Sequence, residues 1–253
     1  LSLKSQKHFF QALRIHLVLL VIAATLSIIS IPHCLVALAQ LLALLGALGC
    51  SIYLFSVRPD RMWYSGRAVA ESIKTVTWRY VCRAEPFQTE NLIAKNDFRQ
   101  TLKQIIEQNR EVCESLTEHL DGEQFTQVME QLRSQSLEER KATYKNTRIK
   151  DQLTWYAKKA KFNRKMSKYF FLGLIGINSL AVICAAFRII YINQSFWPTD
   201  VLVAIAASIL SWMQAKRFSE LASSYSLAAH EISLINEQSL RSTTDNDFSI
   251  FVG

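Results

Sequence analysis

Four apolar runs arranged as two pairs limit this chain more than any other feature. The first pair is Ile15–Pro32 and Cys34–Ser56, and the second is Tyr169–Ile192 and Thr199–Ala215. Each run is close to the ~20 residues that a helix needs to cross a bilayer. Pro32-His33 separates the first pair, and the polar turn Asn193–Thr199, with Trp197-Pro198, separates the second. The pairs lie about 160 residues apart. Ile15 aligns with Ile175, Leu20 with Leu180, Ala47 with Ala207, Ala68 with Ala228 and Glu71 with Glu231, without a gap. A backbone in hydrocarbon must satisfy its own hydrogen bonds. The expected fold is therefore an all-α membrane protein: four transmembrane helices as two duplicated hairpins, with long helices extending into a cytoplasmic helical domain.

Charge is segregated along the chain. Half of the residues are hydrophobic, yet 22 of the 29 Lys and Arg residues lie between Ser56 and Tyr169. Lys4, Lys7 and Arg14 precede the first run, and Arg58, Arg61 and Arg67 follow the second. Lys158, Lys159, Lys161, Arg164, Lys165 and Lys168 precede the third, and Lys216 and Arg217 follow the fourth. Neither hairpin turn carries a Lys or Arg. By the positive-inside rule, both termini and the middle segment are cytoplasmic, in a multi-pass protein of the cell (inner) membrane. A signal peptide is not expected, because the first run leads into a second without a small-residue cleavage pattern. The five cysteines show no metal or redox spacing, and a disulfide framework is not expected. The Asn193-Gln194-Ser195 sequon would lie too near the membrane to make a good glycosylation site.

The middle segment reads as helix. Met62, Val69, Ile73, Val76 and Tyr80 recur at roughly helical spacing, so the second span is expected to continue outward, with Pro59 tolerated at a first-turn or kink position. Glu85-Pro86 should stop that helix. A further helix is expected over about 96–120, ended by Asp121-Gly122. Another should begin at Ser136-Leu137-Glu138-Glu139, a capping arrangement, and meet no breaker before the third span.

The stretch from Arg61 to Phe87 (RMWYSGRAVAESIKTVTWRYVCRAEPF) resembles the post-hairpin helix of SLATT domains. The stretch from Arg148 to Asn163 (RIKDQLTWYAKKAKFN) resembles their pre-hairpin helix. SLATT domains are two-transmembrane effector domains of bacteria that associate with SMODS nucleotidyltransferases and SLOG proteins. The resemblance implies a tandem protein. Residues 1–87 would form a first hairpin with its post-hairpin helix, and 88–135 a cytoplasmic helical linker. Residues 136–240 would form a second complete unit, and 241–253 a C-terminal tail. It implies an oligomeric, pore-forming or membrane-disrupting effector of an antiphage or other conflict system. The trigger would be a nucleotide second messenger or a sensor linked to SLOG or nucleotidyltransferase proteins. The copies differ: Trp63, Arg67 and Trp78 of the first align with Ser223, Leu227 and Gln238 of the second. The first also has little room for a pre-hairpin helix before residue 9.

Three sets of residues stand out as candidate sites. Trp63, Arg67, Glu71, Trp78, Trp155 and Tyr156 are candidates for gating or coupling. Arg67 and Glu71 are four apart on a helix and can pair. The plainer reading is an interfacial anchor and packing contact. Trp155-Tyr156 beside Lys158, Lys159 and Lys161 could clamp a nucleotide, but such a run more commonly forms a basic collar at anionic lipid. Gln40, Asn178, Arg188, Ser208, Ser211 and Gln214 are polar residues inside spans and candidates to line a pore. Their plainer roles are interhelical hydrogen bonds and, for Arg188, snorkelling toward the headgroups with Asp200 as partner. Ala39, Ala43 and Ala47 form a small-residue stripe for close helix approach, expected to support a homo-oligomer.

No enzyme signature is found: His230-Glu231 lacks the second histidine of a zinc helix. No catalytic residue, metal site, cofactor or nucleic-acid partner is expected. The alternative to an effector is a membrane-anchored scaffold that recruits a cytoplasmic partner.

Overall fold

The computed structural model describes residues 2–29, 34–114, 123–191, 196–238 and 243–253. All regular elements among them are helical. They are α1 (Ser2–Ile28), α2 (Cys34–Val57), α3 (Pro59–Val81), α4 (Asn91–Gln108), α5 (Arg110–Glu114), α6 (Gln127–Ser134), α7 (Leu137–Thr143), a π-helical stretch (Tyr144–Ile149), α8 (Lys150–Ile190), α9 (Thr199–Lys216), α10 (Phe218–Gln238) and α11 (Asp245–Val252). Four helical stretches are long and apolar enough to cross a membrane, as the two apolar pairs require. The first hairpin turn, the start of the second with the sequon, and Asp121-Gly122 lie outside the described residues.

The chain divides into two compact units. The membrane unit comprises residues 4–60 and 160–223. The polar unit comprises residues 1–3, 61–159 and 224–253.

The membrane unit buries small side chains. Ala23, Ala43, Ala47, Ala181, Leu202 and Ala206 are buried, whereas Leu35, Leu38, Leu42, Leu48, Phe171 and Val182 are exposed. Hydrocarbon solvent gives large apolar groups no reason to turn inward, so close backbone approach decides the packing. Gly46 shows this in the first hairpin: a Cβ there would meet Leu19 Cδ1 at 3.0 Å. Ala43 and Ala47 of the small-residue stripe are therefore buried within the unit, and Ala39 is exposed. The stripe expected to join separate copies is largely used inside one.

Both hairpins end in the same way. Arg58 (φ 44°) separates α2 from α3, and Arg217 (φ 50°) separates α9 from α10. The expected continuation of the second span is thus broken by one left-handed residue. Pro59 then starts α3, where its missing N–H costs no helical bond. Arg217 is held to Glu220 by an ion pair.

The polar unit packs as a water-soluble domain does. Its core gathers Tyr80, Val81, Cys82, Ala84, Phe87, Ala94, Phe98, Phe248 and Val252. α3 ends at Val81, ahead of the expected stop at Glu85-Pro86, because Arg83 adopts a left-handed conformation (φ 55°). The helix expected over 96–120 begins earlier and breaks at Asn109, whose side-chain amide donates back to Ile105 O at 2.8 Å. The expected cap at Ser136 is a full capping box: Glu139 N–H donates to Ser136 Oγ, and Ser136 N–H donates to Glu139 Oε2 at 3.0 Å. Helix then continues from Leu137 to Ile190, with the π-helical stretch inside it. The C-terminal tail, 241–253, is helical from Asp245 and places Phe248 and Val252 in the core.

Candidate coupling site and buried arginine hub

The end of α3 leaves carbonyls that no residue of the same helix can satisfy. The N–H groups of Cys82, Ala84 and Arg83 reach Trp78 O, Arg79 O and Tyr80 O, and two buried arginines from other elements add a donor to Tyr80 O and serve carbonyls just beyond the helix. Arg133, on α6, donates to Tyr80 O at 2.5 Å, Phe87 O at 2.9 Å, Thr89 O at 3.1 Å and Asn91 Oδ1 at 3.0 Å. Its guanidinium also lies 4.6 Å from the Tyr80 ring centroid. Burial lowers its pKa from the ordinary arginine value. Arg140, on α7, donates to Cys82 O at 2.7 Å, Gln135 O at 3.1 Å and Asp245 Oδ1 at 2.5 Å. A planar guanidinium offers five N–H donors in a fixed fork, so one side chain can tie several loops together.

α11 docks onto this hub. Asp245 pairs with Arg140, Ser249 Oγ accepts from Glu85 N–H at 3.0 Å, and Arg79 donates to Gly253 O. Cys82 is enclosed here, and burial pushes its thiol up to about 12. The sequence gives little sign of the hub. Arg133 and Arg140 look like solvated helix charges, and their carbonyl partners carry no residue signature.

A second cluster in the polar unit brings together three of the six proposed coupling residues. Arg67, on α3, lies with its guanidinium carbon 5.6 Å from the Trp155 ring centroid on α8. Lys159 Nζ lies 5.7 Å from the same ring. Trp155 meets Tyr156 edge-on at 4.9 Å, and both contact Tyr225 of α10, at 5.5 and 5.7 Å. The expected Arg67–Glu71 pair is replaced: Glu71 is exposed and pairs with Lys74 at 3.1 Å. A three-residue spacing is as good as four on a helix surface, and the aromatic rings give Arg67 a better seat across the helices. Trp63 stacks on Tyr64 and accepts a bond at its carbonyl from Ser2 Oγ. Trp78 packs against Tyr144 beside the arginine hub. Tyr225 is the member that sequence reading missed; a lone Tyr on the less matched copy gave no signal.

The intramembrane polar residues divide by exposure. Asn178, Arg188, Ser211 and Gln214 are exposed on the membrane unit, and Gln40 and Ser208 are half-buried. Another polar contact was missed. His16 Nδ1 lies 3.0 Å from Ala47 O, and Ser51 Oγ also donates to that carbonyl at 3.1 Å. A histidine in an apolar run was the available clue. Among the described residues, no three His, Cys, Asp or Glu side chains gather to hold a metal.

Hairpins of apolar helices joined to helices that form a polar unit define a multi-pass membrane protein with two-span modules. The family model for the SMODS and SLOG-associating 2TM effector domain 3 matches residues 1–141, and that for the SMODS and SLOG-associating 2TM effector domain 1 matches 144–253. The chain belongs to the SLATT family, as a tandem of two different types. No curated protein and no solved structure matches it. SLATT domains are effector domains associated with conflict and defence systems. The seam between the matches falls at the start of the π-helical stretch, Tyr144–Ile149.

Proposed function

We propose that the chain is an oligomeric effector that permeabilises the cell membrane of a bacterium when a cytoplasmic signal reaches the polar unit. Both termini and the polar unit face the cytoplasm in this reading, as the Lys/Arg bias requires. The observation that carries the proposal is the exposure of Asn178, Ser211 and Gln214 on spans whose surface is mostly apolar. Polar groups facing hydrocarbon are costly, and further copies of the chain would give them partners or a shared aqueous path. Family membership supports the effector role.

The cluster of Arg67, Trp155, Tyr156 and Tyr225 is the proposed coupling point. It joins α3, α8 and α10, each of which leads by covalent continuity to a span. A signal must favour one of two discrete arrangements of these helices. A sensor built on SLOG or nucleotidyltransferase proteins, or its nucleotide product, would supply that bias.

Leakage from dye-loaded liposomes tests both claims. Wild-type protein should release dye when the cognate sensor product is added. Arg67→Ala removes a contact worth about 0.5–2 kcal/mol and should shift the threshold several-fold at unchanged insertion. Liposomes that stay tight with every nucleotide and sensor supplied would favour the scaffold reading.

A further inference from the structure

We propose that Arg14 and Lys216 together bind the phosphodiester of an anionic phospholipid at the rim of the membrane unit, beside Phe10 and Trp212. Arg14 is the last residue before the first apolar run, and Lys216 is the first after the fourth. Both cations sit on one indole: the Arg14 guanidinium carbon is 5.6 Å and Lys216 Nζ 5.0 Å from the Trp212 ring centroid. Lys216 Nζ also lies 3.2 Å from the Phe10 centroid. Phe10 meets Trp212 edge-on at 5.8 Å, which holds α1 and α9 together at this level.

Two like charges gathered on one ring repel each other unless an anion lies between them. Among the described residues, none provides one. The membrane unit carries eleven Lys and Arg residues against three acidic ones, Asp60, Asp200 and Glu220. Glu220 is engaged by Arg217, and neither Arg14 nor Lys216 has an ion pair among the described residues. A phosphodiester fits the need. It is anionic at neutral pH, accepts from both side chains, and in a bilayer lies at the depth where apolar surface gives way to charge. Arg suits it because the guanidinium fork donates twice to a phosphate. Trp212 favours the same interfacial depth, and the Lys216 stem can lie along apolar surface while its head meets the phosphate. The site depends on membrane insertion alone and not on pore formation.

The full chain, purified in detergent, would be titrated with phosphatidylglycerol or phosphatidylcholine and retained lipid counted by native mass spectrometry. Wild type should retain phosphatidylglycerol selectively. R14Q and K216Q should each weaken that selectivity about fivefold, whereas K4Q/K7Q should leave most of it. The charge-preserving pair R14K/K216R keeps the test decisive if a neutral variant fails to fold; it should retain clear preference for phosphatidylglycerol over phosphatidylcholine. Unchanged selectivity in folded R14Q/K216Q would overturn the proposal. Displacement of the lipid by millimolar inorganic phosphate would overturn the lipid assignment and mark a soluble phosphate site.

Discussion

The two units of this protein bury opposite kinds of side chain. The polar unit encloses Tyr80, Phe87, Phe98 and Phe248 together with Arg133 and Arg140. The membrane unit encloses mainly alanines and leaves leucines, isoleucines and phenylalanines outside. The difference shows which solvent each unit is built for. In water, burying large apolar surface drives packing, and it can offset the cost of enclosing a hydrogen-bonded arginine. In lipid that drive is absent between helices, and close contact of small residues takes its place.

The largest effect should come from the arginine hub. Arg133→Ala would take the arginine donor from Phe87 O and Thr89 O, leave Tyr80 O with the Arg83 N–H alone and open a cavity, at about 3–5 kcal/mol. Thermal unfolding in detergent should show a large fall in melting temperature. Arg133→Lys should recover little, because a single ammonium cannot reach the same spread of acceptors. If Arg133→Ala is neutral, the polar unit is not held by its hub and the contrast between the units fails.

Ala43→Leu should cost less, about 1–3 kcal/mol, by forcing bulk into the packed interior of the membrane unit. Leu42→Ala, next to it but facing outward, should change stability by a few tenths of a kcal/mol. Equal effects of the two would mean that the outward leucines are packed against another copy, which gel filtration in several detergents would then reveal.

Cys82 separates the units chemically. Its folded pKa, about 12, lies above the ordinary thiol value of 9.0, so burial favours the protonated form. The stabilisation tied to that shift is complete below about pH 9 and is lost as pH rises from there through about 12. At pH 8.5 an alkylating reagent should label exposed Cys34 readily and reach Cys82 only after unfolding. Mass mapping of labelled peptides reads this directly.

The smallest effect concerns α11. Hydrogen bonds from Thr244 and Thr243 hold the Asp247 carboxyl below its usual range. A depressed pKa gives stabilisation that is present above about 3.8, the ordinary value, and lost as pH falls through the folded value. Loosening of the helix N-terminus should therefore appear only in strongly acid solution, as faster pepsin cleavage near residue 243. Cleavage that rises already between pH 6 and 5 would overturn the assignment of this loosening to Asp247.

The sequence by itself determined the four spans, because a run of some twenty apolar residues has few other homes. It also determined the capping box at Ser136 and the tandem family, since these depend on local spacing. Arg67, Trp155 and Tyr156 could be singled out as residues of note, but their meeting with Tyr225 could not, because it joins helices far apart in the chain. The breaks at Arg58 and Arg217 were likewise hidden, since nothing in an arginine announces a left-handed backbone. Only the tertiary structure decided that Arg133 and Arg140 lie inside while similar helix arginines stay in solvent. The physical reason is that most of their partners are main-chain carbonyls, which every residue carries and which no side-chain pattern records.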